Sequence, residues 1–247
     1  MRMRPAEAGV VPAFVVASAG MAAVTYASFV LESVLSPDSD IVNGYVSELS
    51  AADQPAHLVY NITDFITGAL VIVTAATALV TLRRRPWAVT GWLFLLMFGV
   101  AIIGDAAFPL DCAPSRNTTC ALLERAGKVS FAHQFHSVTS VSAITCATVG
   151  LFALSIAARR HGWWPSLARW GRPLALANVL AAVAVVALMT VGRWLGLAQR
   201  VQITILCLNL LLIAWALHAD RHVRTAAEGG NRRTASPDPR PPTGTIR

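Results

Sequence analysis

Thirteen carboxylates and six histidines are spread over 247 residues, and several of them fall inside long apolar runs. His57, Asn61 and Asp64 stand at i, i+4 and i+7, a spacing that sets three side chains on one helix face. At 1.5 Å per residue, Asp64 lies about 10 Å deeper than His57. His133, His136, Ser137 and Ser140 follow the same helical spacing, and Asp105 sits in Gly104-Asp-Ala-Ala-Phe-Pro-Leu-Asp111. Imidazole and carboxylate are zinc ligands, and a zinc-bound water is acidic enough to be a nucleophile near neutral pH. Carboxylates sunk in hydrocarbon equally suit proton or cation binding. In the metal reading, His133 and His136 ligate and His57 or Asp105 is the third ligand. Asp64 is then the base, and Arg200 holds an anionic headgroup. Asp64 and Asp105 are thus the catalytic candidates, and His57, His133 and His136 the metal-ligating ones. Glu48, Asn61, Arg193, Gln199 and Arg200 are the ligand-binding candidates around them.

Each of these groups also has a plainer use. Asp64 or Asp105 can form a structural ion pair with Arg193 or Arg200. The histidines can pack or rest among headgroups, and Glu32 is close enough to water to need no task. No phosphate-cradling glycine loop, His-Glu-x-x-His or Gly-x-Ser-x-Gly string offers soluble-enzyme chemistry.

The elements that must position these residues follow from composition. The chain is 55% hydrophobic and 13% charged, with a mean hydropathy of +0.56, whereas a soluble domain carries roughly 25% charged residues. That excludes a disordered chain, a collagen-like repeat, a disulfide-dense scaffold and a conventional soluble enzyme. Crossing a bilayer takes about 20 apolar residues, and six stretches qualify: Val10 to Leu35, His57 to Leu82, Trp87 to Leu110, Ser130 to Ala158, Leu174 to Leu195 and Ala198 to Ala219. The fold class is therefore all-α, a polytopic bundle of six transmembrane helices. Residues 1–9 precede the membrane domain of residues 10–220, and residues 221–247 read as a disordered, basic, Pro-rich tail. The first span is too long for a cleavable signal. Gly192 to Gln199 predicts a tight turn, and no internal repeat is evident.

Arginine placement predicts orientation. The two termini and alternate connections carry 15 basic and four acidic residues; the other connections and span ends carry five and nine. Both termini are therefore expected in the cytoplasm, and the chain in a bacterial cytoplasmic membrane, an origin suggested by 19 arginines beside a single lysine. The basic pI near 10.1 is then a topology signal and not a nucleic-acid footprint. The loop from Ser36 to Ala56 is acidic, with a short helical turn predicted near Ser47–Ser50. Cys112 and Cys120, eight positions apart in the Asp111–Val129 loop, invite a disulfide on an oxidising face. Cys146 and Cys207 lie inside spans as small hydrophobes. Trp163, Trp164 and Trp170 read as an interfacial aromatic belt.

Four strings, Tyr45-Val-Ser-Glu-Leu-Ser50, Gly104-Asp-Ala-Ala-Phe-Pro-Leu-Asp-Cys112, Ala132-His-Gln-Phe-His136 and Gly196-Leu-Ala-Gln-Arg200, together resemble the bacterial domain-of-unknown-function family 998. The resemblance covers about residues 10 to 220 and implies a six-helix membrane protein without naming an activity. A more distant similarity runs to the membrane hydrolases that include alkaline ceramidases and adiponectin receptors, which set three histidines, an Asp and a Ser around zinc in seven helices. This chain departs from them in having six spans, a histidine pair at i, i+3 and no pair in the last span.

Three functions stay open on the sequence. The first is a lipid- or small-ligand-binding scaffold, sensor or subunit with a polar pocket facing outward. The second is a metal-dependent hydrolase, with zinc as cofactor, acting on a lipid or lipid-linked substrate. The third is a proton- or cation-coupled transporter. The partners expected are the lipid bilayer and a lipid-like ligand, with no nucleic acid.

Overall fold

In the computed structural model, residue 9 and residues 11–234 are described, with side chains through residue 222. The first span joins α1 (Ala13–Tyr26), a 3-10 stretch (Ala27–Leu31) and α2 (Glu32–Leu35). A second 3-10 turn (Val46–Ser50) precedes α3 (His57–Thr81) and α4 (Pro86–Ala107). Then follow α5 (Thr118–Arg125), α6 (Phe131–His161), α7 (Pro165–Val191) and α8 (Leu195–Thr234). Six of these segments, Ala13–Leu35, α3, α4, α6, α7 and α8 through His222, are long and apolar enough to cross a bilayer, each being 22 residues or more. The chain is a multi-pass membrane protein.

Two span boundaries differ from the hydropathy reading. The fifth span begins at Pro165, not near Leu174, because Pro favours the first helical turn. Arg169 and Arg172, fifth and eighth in the helix, hide the start from an apolar window. α8 continues through Thr234, past Ala219. Residues 235–247 of the expected tail, and residues 1–8 and 10 at the other end, lie outside the described residues. α5 was not evident in the hydropathy, being short and polar. It starts where the Asn117 side chain accepts a hydrogen bond from the Cys120 amide at 3.1 Å.

The spans pack in a closed ring in chain order: α1 against α3, α3 against α4, α4 against α6, α6 against α7, α7 against α8, and α8 back against α1. Small residues let the backbones meet, as membrane helices require. A Cβ on Gly68 of α3 would stand 2.5 Å from the Gly99 carbonyl of α4. One on Gly91 of α4 would stand 2.6 Å from Leu154 of α6. The core holds Trp92, Phe98, Leu151, Leu154, Leu206 and Ile213. α7 is the most peripheral span, and Leu176, Leu180, Val183 and Val186 are exposed along it, as a lipid-facing stripe should be. The expected aromatic belt is corrected in part. Trp164 is 1% exposed and meets Trp92 edge-on at 6.1 Å, so it is a core residue. Trp163 is likewise buried, and only Trp170 is exposed.

Candidate functional site

α6 is the element that sets the site. Its first turn is fixed by Ser130, whose hydroxyl accepts from the His133 amide at 3.2 Å. The Ser130 amide and hydroxyl both donate to Asp111, at 2.7 and 2.5 Å. Partial burial pushes the Asp111 carboxyl up, but those bonds and neighbouring His133 outweigh it and hold it below its ordinary value. The expected disulfide is present: Cys112 and Cys120 are joined, with Cα atoms 6.1 Å apart, tying α5 to the start of the loop.

One turn further along α6, His136 turns toward α4. Its Nδ1 lies 3.0 Å from the Phe108 carbonyl, which can only accept, so Nδ1 carries a proton and donates to it. That buried Nε2 has no partner. Asp105 Oδ1 lies 3.8 Å from His136 Nδ1, accepts from Ser140 at 3.0 Å, and also accepts from Thr139. Gly104 permits this approach, since a Cβ there would meet the Thr139 methyl at 2.7 Å.

These groups open on a cavity of about 110 Å³ inside the ring. A single water needs roughly 10–15 Å³, so the space holds several waters or a small ligand. Tyr26, Ser28 and Phe29 line it from the first span, Tyr60 and Asp64 from α3, and Ile102 and Asp105 from α4. His136, Ser140 and Ala143 of α6 and Gln199, Gln202 and Leu206 of α8 complete the wall, with Val46–Ser50 as a roof. α7 contributes nothing. Among the described residues no group donates a hydrogen bond to the Asp64 carboxylate. The buried Gln202 amide nitrogen is also without a partner.

The roof is fastened from three sides. The Val46 amide donates to Gln199 Oε1 at 2.8 Å, and Asn61 Nδ2 donates to the Ser50 carbonyl at 3.3 Å. The Ser115 amide donates to Glu48 Oε1 at 3.1 Å, and its hydroxyl also bonds Glu48. Burial raises the Glu48 carboxyl above its ordinary value, more than these bonds lower it. Behind the roof, Gly44 and Gly196 are in close contact, a Cβ on Gly196 falling 2.5 Å from the Gly44 carbonyl. Arg200 spans the joint: Nε donates to Glu32 Oε1 at 2.7 Å, Nη2 pairs with Oε2, and Nη1 reaches the Gly44 and Gly196 carbonyls at 3.2 and 3.0 Å.

Of the candidates drawn from sequence, Asp64, Asp105, His136 and Gln199 meet at the cavity. Glu48, Asn61 and Arg200 hold the roof and its hinge. The structural ion pair expected for Asp64 or Asp105 with an arginine is not formed, because Arg200 is committed to Glu32. Arg193 is exposed in the turn between α7 and α8. His57 Nδ1 faces the Gln54 carbonyl at 2.6 Å. His133 Nδ1 accepts from the Asp111 amide at 3.2 Å, and its Nε2 faces Glu124 Oε1 at 3.5 Å. His57, His133 and His136 therefore do not converge. Among the described residues no three His, Cys, Asp or Glu side chains are arranged to hold a metal ion, so the residues present do not fit the zinc set. Glu32, read as close enough to water to need no task, is instead buried and paired with Arg200; Gln202 and the rings of Tyr26, Phe29 and Tyr60 were missed. Gln202 had a signal, standing three residues after Gln199 on an apolar helix.

The four strings singled out in the sequence all lie at this end, and residues 4–216 match the family described as "Protein of unknown function (DUF998)". The chain belongs to DUF998. No curated protein and no solved structure matches it. The family description assigns this DUF998 chain no activity.

Proposed function

We propose that this DUF998 chain binds a small ligand in the cavity ringed by Asp64, Asp105 and His136, acting as a sensor, scaffold or subunit of a bacterial cytoplasmic membrane. Both termini face the cytoplasm in this reading, which the arginine distribution supports. The pocket then lies toward the outer face beneath the Val46–Ser50 roof. The observation that carries the proposal is a partly open cavity edged by two carboxylates and an unpaired imidazole nitrogen at membrane depth. Such groups are costly in hydrocarbon unless hydrated or liganded. The volume of about 110 Å³ favours a small ligand over a whole lipid, since drug-sized sites run to roughly 300–1,000 Å³. Toward the other end the bundle is closed by Leu95, Phe98, Leu210 and Ile213, which supports binding over passage. The scattered histidines give the hydrolase reading no support.

Thiol chemistry tests the pocket. With Cys146 and Cys207, both buried, replaced by alanine, Ser140→Cys places a thiol on the cavity wall. A water-soluble methanethiosulfonate reacts with the thiolate, which exists only where water reaches. We expect Ser140→Cys in nanodiscs to be modified, and Val141→Cys, 65% exposed toward lipid, to stay unmodified. A Ser140→Cys protein inert to every such reagent would refute the pocket.

A further inference from the structure

Resting on the pocket reading, and deepening it, we infer that the ligand presents an organic ammonium group bearing at least one N–H to Asp64, Asp105 and His136. The lining decides the sign of charge. It holds two carboxylates and neither arginine nor lysine. Arg200, which comes up behind the roof, has its guanidinium taken by Glu32 and by the Gly44 and Gly196 carbonyls. No guanidinium or ammonium is left there to pair with an anionic headgroup.

Hydrogen-bond polarity points the same way. His136 donates from Nδ1 to the Phe108 carbonyl, and its buried Nε2, an acceptor whenever the ring is neutral, has no partner. Asp64 accepts from no group among the described residues. A ligand N–H supplies what both lack. Gln202 Nε2 and Tyr60 Oη are also unpartnered in the lining; turning the amide presents its oxygen to an ammonium, and the hydroxyl accepts as readily as it donates.

The rings choose between an inorganic and an organic cation. Tyr26, Phe29 and Tyr60 all face the cavity, and Tyr26 is braced edge-on by Phe98 at 5.9 Å. Aromatic faces attract alkylated ammonium groups and shelter their alkyl surface. A bare metal ion needs a shell of oxygen or imidazole ligands, and no three His, Cys, Asp or Glu side chains are arranged to hold one among the described residues.

Protection of Ser140→Cys from modification tests the inference, with ethylammonium chloride as probe. Ethylammonium at about ten times its Kd should slow modification roughly tenfold by mass action. Sodium chloride, calcium chloride and sodium acetate at matched ionic strength should leave the rate unchanged. Asp64→Asn with Asp105→Asn should abolish the protection; the salt series on Ser140→Cys alone decides the matter if that variant does not fold. A cationic aminoethyl reagent should also outpace an anionic sulfonatoethyl one more strongly at Ser140→Cys than at exposed Asp38→Cys. Modification without ethylammonium protection, or equal protection by sodium, calcium or acetate, overturns the ammonium assignment and leaves the pocket standing. A thiol inert to all reagents removes both.

Discussion

Glu32 and Arg200 are 168 positions apart and form a buried two-pronged ion pair between the first and last spans. The pair closes the ring just behind the roof, and it is satisfied by two further carbonyls. Breaking one side of such a pair leaves a buried charge alone, which typically costs about 3–5 kcal/mol, whereas replacing both sides by apolar groups is often neutral. We expect Arg200→Met to lower the thermal midpoint in nanodiscs markedly, and Glu32→Leu with Arg200→Met to recover most of the loss. Equal midpoints for the single variant and the parent would show that the pair is not structural. Two carboxyls outside the spans should titrate with opposite sign. The native value of Asp111 lies below the ordinary one because of Ser130 and His133, despite burial. Its stabilising effect is therefore complete above about pH 4, the unfolded value, and is lost as pH falls through the native value. Glu48 is raised, chiefly by burial. Its contribution is complete below about pH 4.3 and is lost as pH rises through the native value. Melting Asp111→Asn and Glu48→Gln across pH should show the Asp111→Asn deficit shrinking in acid. The Glu48→Gln protein should gain on the parent as pH rises, and parallel pH curves for all three proteins would contradict both assignments.

At the scale of elements, the bundle depends on helices that touch backbone to backbone. The Gly68–Gly99 crossing joins α3 to α4, the helices that carry Asp64 and Asp105, so it sets the distance between the two carboxylates across the cavity. A Cβ on Gly99 would fall 2.7 Å from the Gly68 carbonyl, whereas one on Gly20 meets nothing within 4 Å. Overpacking of this kind costs about 1–3 kcal/mol. Gly99→Ala should lower the thermal midpoint and Gly20→Ala should not, as unfolding of the two variants side by side would show. The spans themselves were legible in the sequence because a bilayer requires long apolar runs and nothing else in the chain produces them. Chain order around the ring was not legible in the same way, because an apolar run carries no record of which other run it packs against. Nor was closure of the ring by the Glu32–Arg200 pair, because pairing between distant residues leaves no trace in local spacing. The same limit split a helix face that read as one unit. His57 turns to the Gln54 carbonyl ahead of α3, Asn61 to the roof and Asp64 to the cavity. Residue type and depth predicted that buried acids needed a shared chamber; only packing decided which of them had one.

For the molecule as a whole, polarity is segregated along the bundle axis. One end gathers the disulfide, α5, the acidic loop, the roof and the cavity; the other gathers the arginine-rich turns, with Arg160 stacked over Trp87 at 5.5 Å and Arg172 over Phe152 at 5.8 Å. The strings that carry the DUF998 resemblance fall at the first end, and each now has a mechanical reason. Tyr45–Ser50 makes the roof, Gly196–Arg200 provides its hinge, Gly104–Cys112 brings Asp105 to α6, and Ala132–His136 supplies the unpaired imidazole. A pocket so placed is useful only if that end faces the side from which its ligand arrives. The charge bias puts 15 basic residues with the termini and five at the other end, so the cavity end should be extracytoplasmic, where an oxidising environment also sustains the Cys112–Cys120 bond. A membrane-impermeant maleimide applied to intact bacteria checks this. With the two buried cysteines replaced, Asp38→Cys, whose parent side chain is 84% exposed, should label in intact cells. Arg84→Cys, in the turn between α3 and α4, should label only after the membrane is permeabilised. The reverse pattern would turn the protein over, put the disulfide in a reducing compartment, and make the ligand a cytoplasmic one.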